Sequence, residues 1–561
     1  MQRSSKFPSI FKSLYTHNPF YLLSTCFVLY AIKRAFRPEL MGYIDPWALM
    51  ASLTGFTMLA AVTAWVVVRF GKVWEDARSI VLVLVLMFLA MSVSFDELLN
   101  LYSTEAIGLL TFGFCFSVIV TEALLRSLKI RFPILFRMPF YMMLALFFFY
   151  PMFVSHEVTG LGLTATRWRI ALFPTIAAAI SLFLIFAVRR GTAYVSPNGT
   201  PWRWPWFPWT LFVFLAFAVC GRSYSLSISF DTSVGHVIEM NSLFGGYFLI
   251  PFFLAILVLL LEIGIIEDKR GLRTGVMAAA GLLLLLALPL RGFDPTFAEF
   301  QTTFVRALAS PLFLSLMGLL AFYLYAWLRG IRVAEAGVVA TLLLAIVVGP
   351  KTLGISTLTA PVFWPLAALA AMQLVLAIGR RRSVHAFVSA LCATAVFTAL
   401  MWQPELLMYR RVVPYHLLLL ATIGIGVIFS DRFSGTLSSL GAVALPPTCV
   451  VTALSMQTVG VAESAMLVYL IGMTGLALVH WYFTSDRWYL AAGLLNVAGG
   501  SGGISWMAFR QFRDQVGAEV IQPLLYGTAC FLLAALISAH KAGAFNGFLF
   551  GTKSRNLNDP D

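Results

Sequence analysis

Apolar runs of membrane length recur along the chain, separated by short breaks that carry charge, proline or glycine. A bilayer core is crossed by ~20 mostly apolar helical residues, so each run is a candidate crossing. The pattern predicts about 18 spans of this kind. They cover residues 18–32, 47–68, 79–95, 106–125, 139–153, 170–188, 209–219, 243–266 and 275–290 in the first half of the chain. The second half supplies 311–328, 333–348, 358–378, 384–400, 414–429, 437–456, 462–480, 488–509 and 524–539. The first run is short for a crossing, and snorkelling of Lys33 and Arg34 extends its reach. The seventeenth holds Gly493, Gly499, Gly500, Gly502 and Gly503, so a broken or re-entrant segment, leaving 17 crossings, is the alternative there.

The connections leave no room for a soluble domain, which needs about 50 residues or more. The expected fold class is therefore an all-α integral membrane protein, a polytopic bundle over residues 18–540. Residues 1–17 are expected to form a cytoplasmic segment and 541–561 a short polar cytoplasmic tail. Composition agrees: 60% of the 561 residues are hydrophobic and 11% charged, whereas soluble domains carry ~25% charged residues.

The net charge of +14 would suggest nucleic acid in a soluble protein. Here topology accounts for it. With the N-terminus inside, 26 of the 39 Lys and Arg fall on inner segments and 13 on outer ones, as expected when basic loops are retained on the cytoplasmic side. Both termini are then cytoplasmic, in a plasma membrane, with the lipid bilayer as the obligatory partner and no nucleic acid. Six scattered cysteines without a CxxC pair indicate neither a disulfide framework nor a zinc site. No phosphate loop, HExxH, GxSxG or EF-hand pattern is present. The seven histidines avoid the middle of the spans, where haem ligands would sit. No cofactor, metal or catalytic residue is assigned.

Ionisable groups inside spans are the better guide, because a charge at bilayer depth costs ~2.5–3.5 kcal/mol on insertion scales. Glu262 lies about one turn from the inner end of its span, placed either to bind a proton or cation or to snorkel beside Lys269 and Arg270. Glu122 precedes Arg126 by four residues, the favourable helical order for an ion pair. In the glycine-rich run, unwound backbone at Gly499 and Gly500 with the side chains of Asn496 and Ser501 would make an ion or anion site. Small residues that let helices approach closely explain the same run. The tryptophans at 202, 204, 206 and 209 crowd one inner connection and read as an interfacial anchor.

Outer loops mix arginine, carboxylate and aromatic residues. Arg222 and Asp231 belong to the longest of them, and Glu39 and Asp45 form an acidic pair in the first. Arginine forks grip phosphate or carboxylate, and nearby acids serve as bases. The function expected from many spans without an energy-coupling domain is a secondary transporter or flippase-like permease for a small molecule or lipid. The alternatives are a membrane-embedded transferase using a lipid-linked substrate, laid out like a glycosyltransferase or polysaccharide polymerase, and a non-catalytic scaffold. Neither the substrate nor the oligomeric state is written in the chain.

Overall fold

The computed structural model describes residues 20–35, 45–196, 198–231, 244–288, 295–350, 363–400, 412–458, 463–516 and 518–541. Regular structure among these residues is helical throughout. Among the described residues thirteen helices are long and apolar enough to cross a membrane, against the 18 runs that the pattern predicts over the whole chain. Four shorter apolar helices, Phe20–Ile32, Val333–Val347, Val413–Ile428 and Leu525–Ala535, fall on four more of the predicted runs. The remaining run lies on a 30-residue helix, Arg487–Val516, which passes through all five glycines without a break. Of the two arrangements open for this run, the continuous helix is the one seen, and the broken segment is not: a backbone in lipid has no water to bond, and continuous helix satisfies it.

The chain divides into two units, Met1–Pro365 and Leu366–Asp561. In the first, α1 (Phe20–Ala35), α2 (Pro46–Arg69), α3 (Trp74–Val93), α4 (Asp96–Leu101) and α5 (Ser103–Ser127) are followed by α6 (Ile134–Val154) and the single turn α7 (His156–Thr159). Then come α8 (Leu163–Leu182), its continuation α9 (Leu184–Arg189), α10 (Trp206–Asp231), α11 (Ile250–Ile266), α12 (Arg270–Leu282), α13 (Pro295–Ala307), α14 (Pro311–Leu328) and α15 (Val333–Val347). Caps set several starts. Asp45 accepts from the Trp47 amide at 2.9 Å, with Pro46 in the first turn of α2. Ser310 does the same for Phe313 at the head of α14, where Pro311 follows. The main core is built of large side chains: Met87, Met91, Leu99, Phe147, Phe148 and Phe173 are essentially fully buried.

Helix α13 has another use. Phe297, Phe300 and Phe304 recur at helical spacing and are buried with Phe248, while Glu299, Thr302 and Thr303 face outward. This is an amphipathic helix lying against the bundle.

Side-chain contacts fix the direction of the crossings in this unit. Arg189, Glu262 and Arg329, at the finishing ends of α9, α11 and α14, meet in one cluster. Trp168 stacks on Phe304 and Phe248 packs on Phe300, which gathers the starting ends of α8 and α11 around α13, just before α14. The helices α8–α9, α11 and α14 therefore run parallel, as alternate crossings must.

The second unit holds most of α16 (Phe363–Arg380), then α17 (Ser383–Leu400), α18 (Val413–Ile428), α19 (Arg432–Thr458), α20 (Glu463–Thr484), α21 (Arg487–Val516) and α22 (Ala518–Lys541). Its core is thinner, centred on Leu419, Leu445, Cys449, Met473 and Ala477. Pro446 and Pro447 sit inside α19 without ending it. Two aspartates organise the connections. Asp431 accepts from the Ser383 amide and hydroxyl and from the Ser434 amide, and Asp486 accepts from the Trp488 amide at 3.0 Å and Ser438 Oγ at 3.3 Å.

Candidate functional site

Three carboxylates carry the polar interior of the first unit, and each is already spoken for. Asp96, at the start of α4, is wholly buried against Arg222. Both guanidinium Nη atoms of Arg222 donate to it, one of them at 2.8 Å to Oδ1. The same guanidinium also donates to the Ser92 carbonyl at 3.1 Å, the Phe147 carbonyl at 3.3 Å and Ser225 Oγ at 3.2 Å, leaving only Nε without a partner. Arg222 is thus not the outer-loop residue expected from the sequence. Helix α10 runs on past the end of the apolar run to Asp231. Along this stretch the Ser225 and Ser227 hydroxyls turn back onto the carbonyls of Arg222 and Tyr224, which gives each hydroxyl an acceptor within its own helix.

Glu262 is fully buried in α11. It accepts from Arg189 Nε at 3.2 Å, from Arg329 Nε at 2.9 Å and Nη2 at 3.1 Å, and from the Tyr325 hydroxyl. Its expected neighbours are not its partners: Lys269 pairs with Glu267 instead. A carboxylate bound by two guanidinium groups and a phenol is a tie between three helix ends. Glu122 repeats the theme. Its nearest partners are Arg137 and Tyr141, while the expected Arg126 stands at 3.8 Å.

In the second unit Asn496 is buried. Its amide donates to Thr474 Oγ1 at 2.9 Å, and its Oδ1 has no hydrogen-bond partner. Ser501 donates to the Ala498 carbonyl one turn back, at 3.0 Å. A side chain at Gly500 would meet Leu470 at 3.5 Å, one at Gly499 would meet Val450 at 3.9 Å, and Gly502 and Gly503 face open space. Helix contact through small residues is what this run provides. The ligand set imagined around unwound backbone is not assembled. Asp45 spends its carboxylate on the cap of α2. Its partner in the acidic pair, Glu39, lies outside the described residues, as does the side chain of Asp231. Among the described residues no three His, Cys, Asp or Glu side chains gather as a metal site would require.

Among the described residues three hollows of the first unit have mainly apolar linings, and neither Glu262 nor Asn496 lines any of them. One of about 490 Å³ opens between the starting halves of α8, α11 and α14. Its walls include Trp168, Arg169, Leu172, Tyr247, Leu254 and Leu314. Another, of about 160 Å³, is lined by Ile180, Leu184, Phe212, Ile256 and Leu259. Residues 250, 251 and 254 of α11 face the first hollow and 252, 256 and 259 the second, so the two lie on opposite faces of the same helix. The third, about 140 Å³, is bounded by Trp74, Trp202, Trp206 and Phe132.

The tryptophan-rich connection that bounds it is an ordered cap. Asn198 accepts from the Thr200 amide at 2.8 Å and donates to the Trp202 carbonyl at 3.0 Å. Gly199 has φ +78°, and a Cβ there would stand 2.4 Å from the Lys129 carbonyl oxygen, so only glycine fits.

At the mouth of the largest hollow Arg169 is held but not neutralised. It donates to the Phe153 carbonyl at 2.5 Å and lies 4.0 Å over the Phe153 ring, and its own carbonyl accepts from the Tyr150 hydroxyl at 2.6 Å. Arg167 sits 4.0 Å from Glu299. Tyr247 lines the hollow and buries a hydroxyl without a hydrogen-bond partner. Sequence reasoning missed Tyr247, whose hydroxyl is silent in a hydropathy pattern. Arg169 carries no sequence signal that sets it apart from other arginines at the ends of apolar runs. No family model matches the chain, and no curated protein or solved structure matches it either.

Proposed function

We propose that this chain is a multi-pass permease of flippase-like kind, whose substrate is an amphiphile entering sideways from the bilayer. The reading takes all the predicted runs, including the four short helices and α21, as crossings, with the connections at Glu122, Glu262 and Arg329 on the cytoplasmic side. One observation carries it: the largest of the three hollows described has walls that are mainly apolar, with Arg169 and Tyr247 as well as Thr175 and Ser315 among them, and a volume within the ~300–1,000 Å³ of ordinary ligand pockets. A hydrophilic solute gains nothing from such walls, whereas an acyl or isoprenoid chain is favoured by ~0.8 kcal/mol for each buried methylene. Neutralisation of Asp96, Glu122 and Glu262 by arginines supports the same choice, since it leaves those acids committed to holding helices together.

The test is purified protein in liposomes that contain a fluorescent phospholipid, with an impermeant reductant added outside. Protein-free vesicles lose about half of the signal, because only the outer leaflet is reached. The reading expects loss well beyond half in protein-containing vesicles, with or without an imposed ion gradient. Signal loss equal to that of empty vesicles, for lipids of several headgroups, refutes it.

A further inference from the structure

We propose that the hollow between α8, α11 and α14 is a binding site for a phosphate-bearing lipid of the bilayer, its chains on the apolar walls and its phosphate on Arg169. The inference rests on the permease reading for what is moved, but the site itself stands on geometry. Trp168 and Tyr247 flank the mouth, and amphipathic aromatic rings of this kind settle at headgroup level. Arg169 is there too. Its backbone is pinned by Tyr150 and its guanidinium by the carbonyl and ring of Phe153. Among the described residues it meets no carboxylate, unlike Arg222, Arg189, Arg329 and Arg137. A guanidinium oriented in advance, with no anion of its own, suits a phosphate, which accepts two of its donors at once. Most of the remaining lining is apolar and includes Leu172, Leu254, Leu308 and Leu314. Gly318 lets Leu254 pack closely on α14: a Cβ there would come 2.8 Å from Leu254 Cδ1. A free anion would use only the mouth, so the two halves together select a molecule with both a phosphate and a chain.

The experiment places the full-length protein in nanodiscs containing equal amounts of phosphatidylglycerol and digalactosyldiacylglycerol, a bilayer lipid without phosphate, with identical chains, and counts retained lipids by native mass spectrometry. Phosphatidylglycerol should be retained in preference by roughly tenfold, the worth of one charge-assisted contact. Arg169→Gln should bring that preference close to unity while lipid is still retained. Leu172→Trp should expel lipid of both classes, and Leu308→Trp, on the same wall and more exposed, gives the same reading if the first variant folds poorly. An unchanged preference in Arg169→Gln overturns the proposal, as does full retention in the tryptophan variants. Displacement of the lipid by inorganic phosphate alone would make the site one for a soluble anion and overturn it equally. Retention without movement of lipid in the liposome assay would sink the permease reading and leave this one standing; movement without selective retention would do the reverse.

Discussion

The two units solve the problem of polar groups in lipid differently. The first buries three charged side chains, Asp96, Arg222 and Glu262, and surrounds each with opposite charge. The second buries, among its described residues, only neutral polar groups, such as Gln373, Ser389, Thr452 and Asn496, and places Asp431 and Asp486 at the connections. A buried ion pair is costly to assemble and more costly to break, whereas a neutral hydrogen bond between membrane helices is worth ~0.6 kcal/mol on average. Charge therefore makes the first unit intolerant of single changes where it is tied. The second, with a thin core of Leu419, Leu445 and Cys449, relies on contact through small residues.

The sharpest way to break the comparison is at the fully buried pair. Arg222→Met should destabilise the protein by about 3–5 kcal/mol, because Asp96 is left as an uncompensated charge. Adding Asp96→Leu should recover most of that loss, since removing both partners of a buried pair is often neutral. Thermal unfolding in detergent, followed by tryptophan fluorescence, reads both variants. A double variant no better than Arg222→Met would show that the pair is not held by mutual neutralisation.

A smaller effect is expected at Glu262. Glu262→Gln leaves Arg189 and Arg329 facing one another, but their side chains are 46% and 36% exposed and water screens them. A loss of about 1–3 kcal/mol follows from the missing charge-assisted hydrogen bonds. It should shrink in high salt, which the Arg222 variant should not do, because the Asp96 site is closed to ions. Unfolding by denaturant at low and high salt separates the two. Equal salt sensitivity would erase the distinction between a sealed tie and an open one.

The hydropathy pattern made the helical membrane class legible because lipid imposes one rule on every crossing, and that rule is written locally. What pairs with what is not local. Glu122 and Arg126 are one helical turn apart, yet Glu122 is held by Arg137 and Tyr141 from the next helix. Arg189 and Arg329 find Glu262 across 73 and 67 positions of sequence. Arg222 was misplaced for a related reason: a polar, serine-rich stretch reads as a loop in hydropathy, but its serine hydroxyls find acceptors on their own helix and Arg222 finds Asp96 from another. The glycine run left two readings open. Glycine permits unwinding, and the packing of Asn496 on Thr474 with Gly500 beside Leu470 favours straight helix instead. No periodicity could have announced the hollow at Arg169, since it exists only where three non-consecutive helices leave space between them.

The mildest test concerns the charge the second unit keeps outside its helices. Asp431 lies between α18 and α19, where the Ser383 hydroxyl and amide and the Ser434 amide hold its carboxyl down, to about 2 against an ordinary 3.8. A carboxyl depressed on folding contributes stability that is complete above its unfolded value and fades as pH falls through the folded one. The melting temperature should therefore decline between pH 3.8 and about 2 more steeply than in Asp431→Asn. At neutral pH the variant should lose only a small amount, the amount of a partly exposed cap. The Ser383 and Ser434 amides join the starts of α17 and α19 through this one side chain, so hydrogen exchange at both helix starts should rise together in the variant. A rise at one start alone would mean that each helix is capped independently, and that the second unit does not use Asp431 as the first uses Glu262, to bind separate helix ends into one.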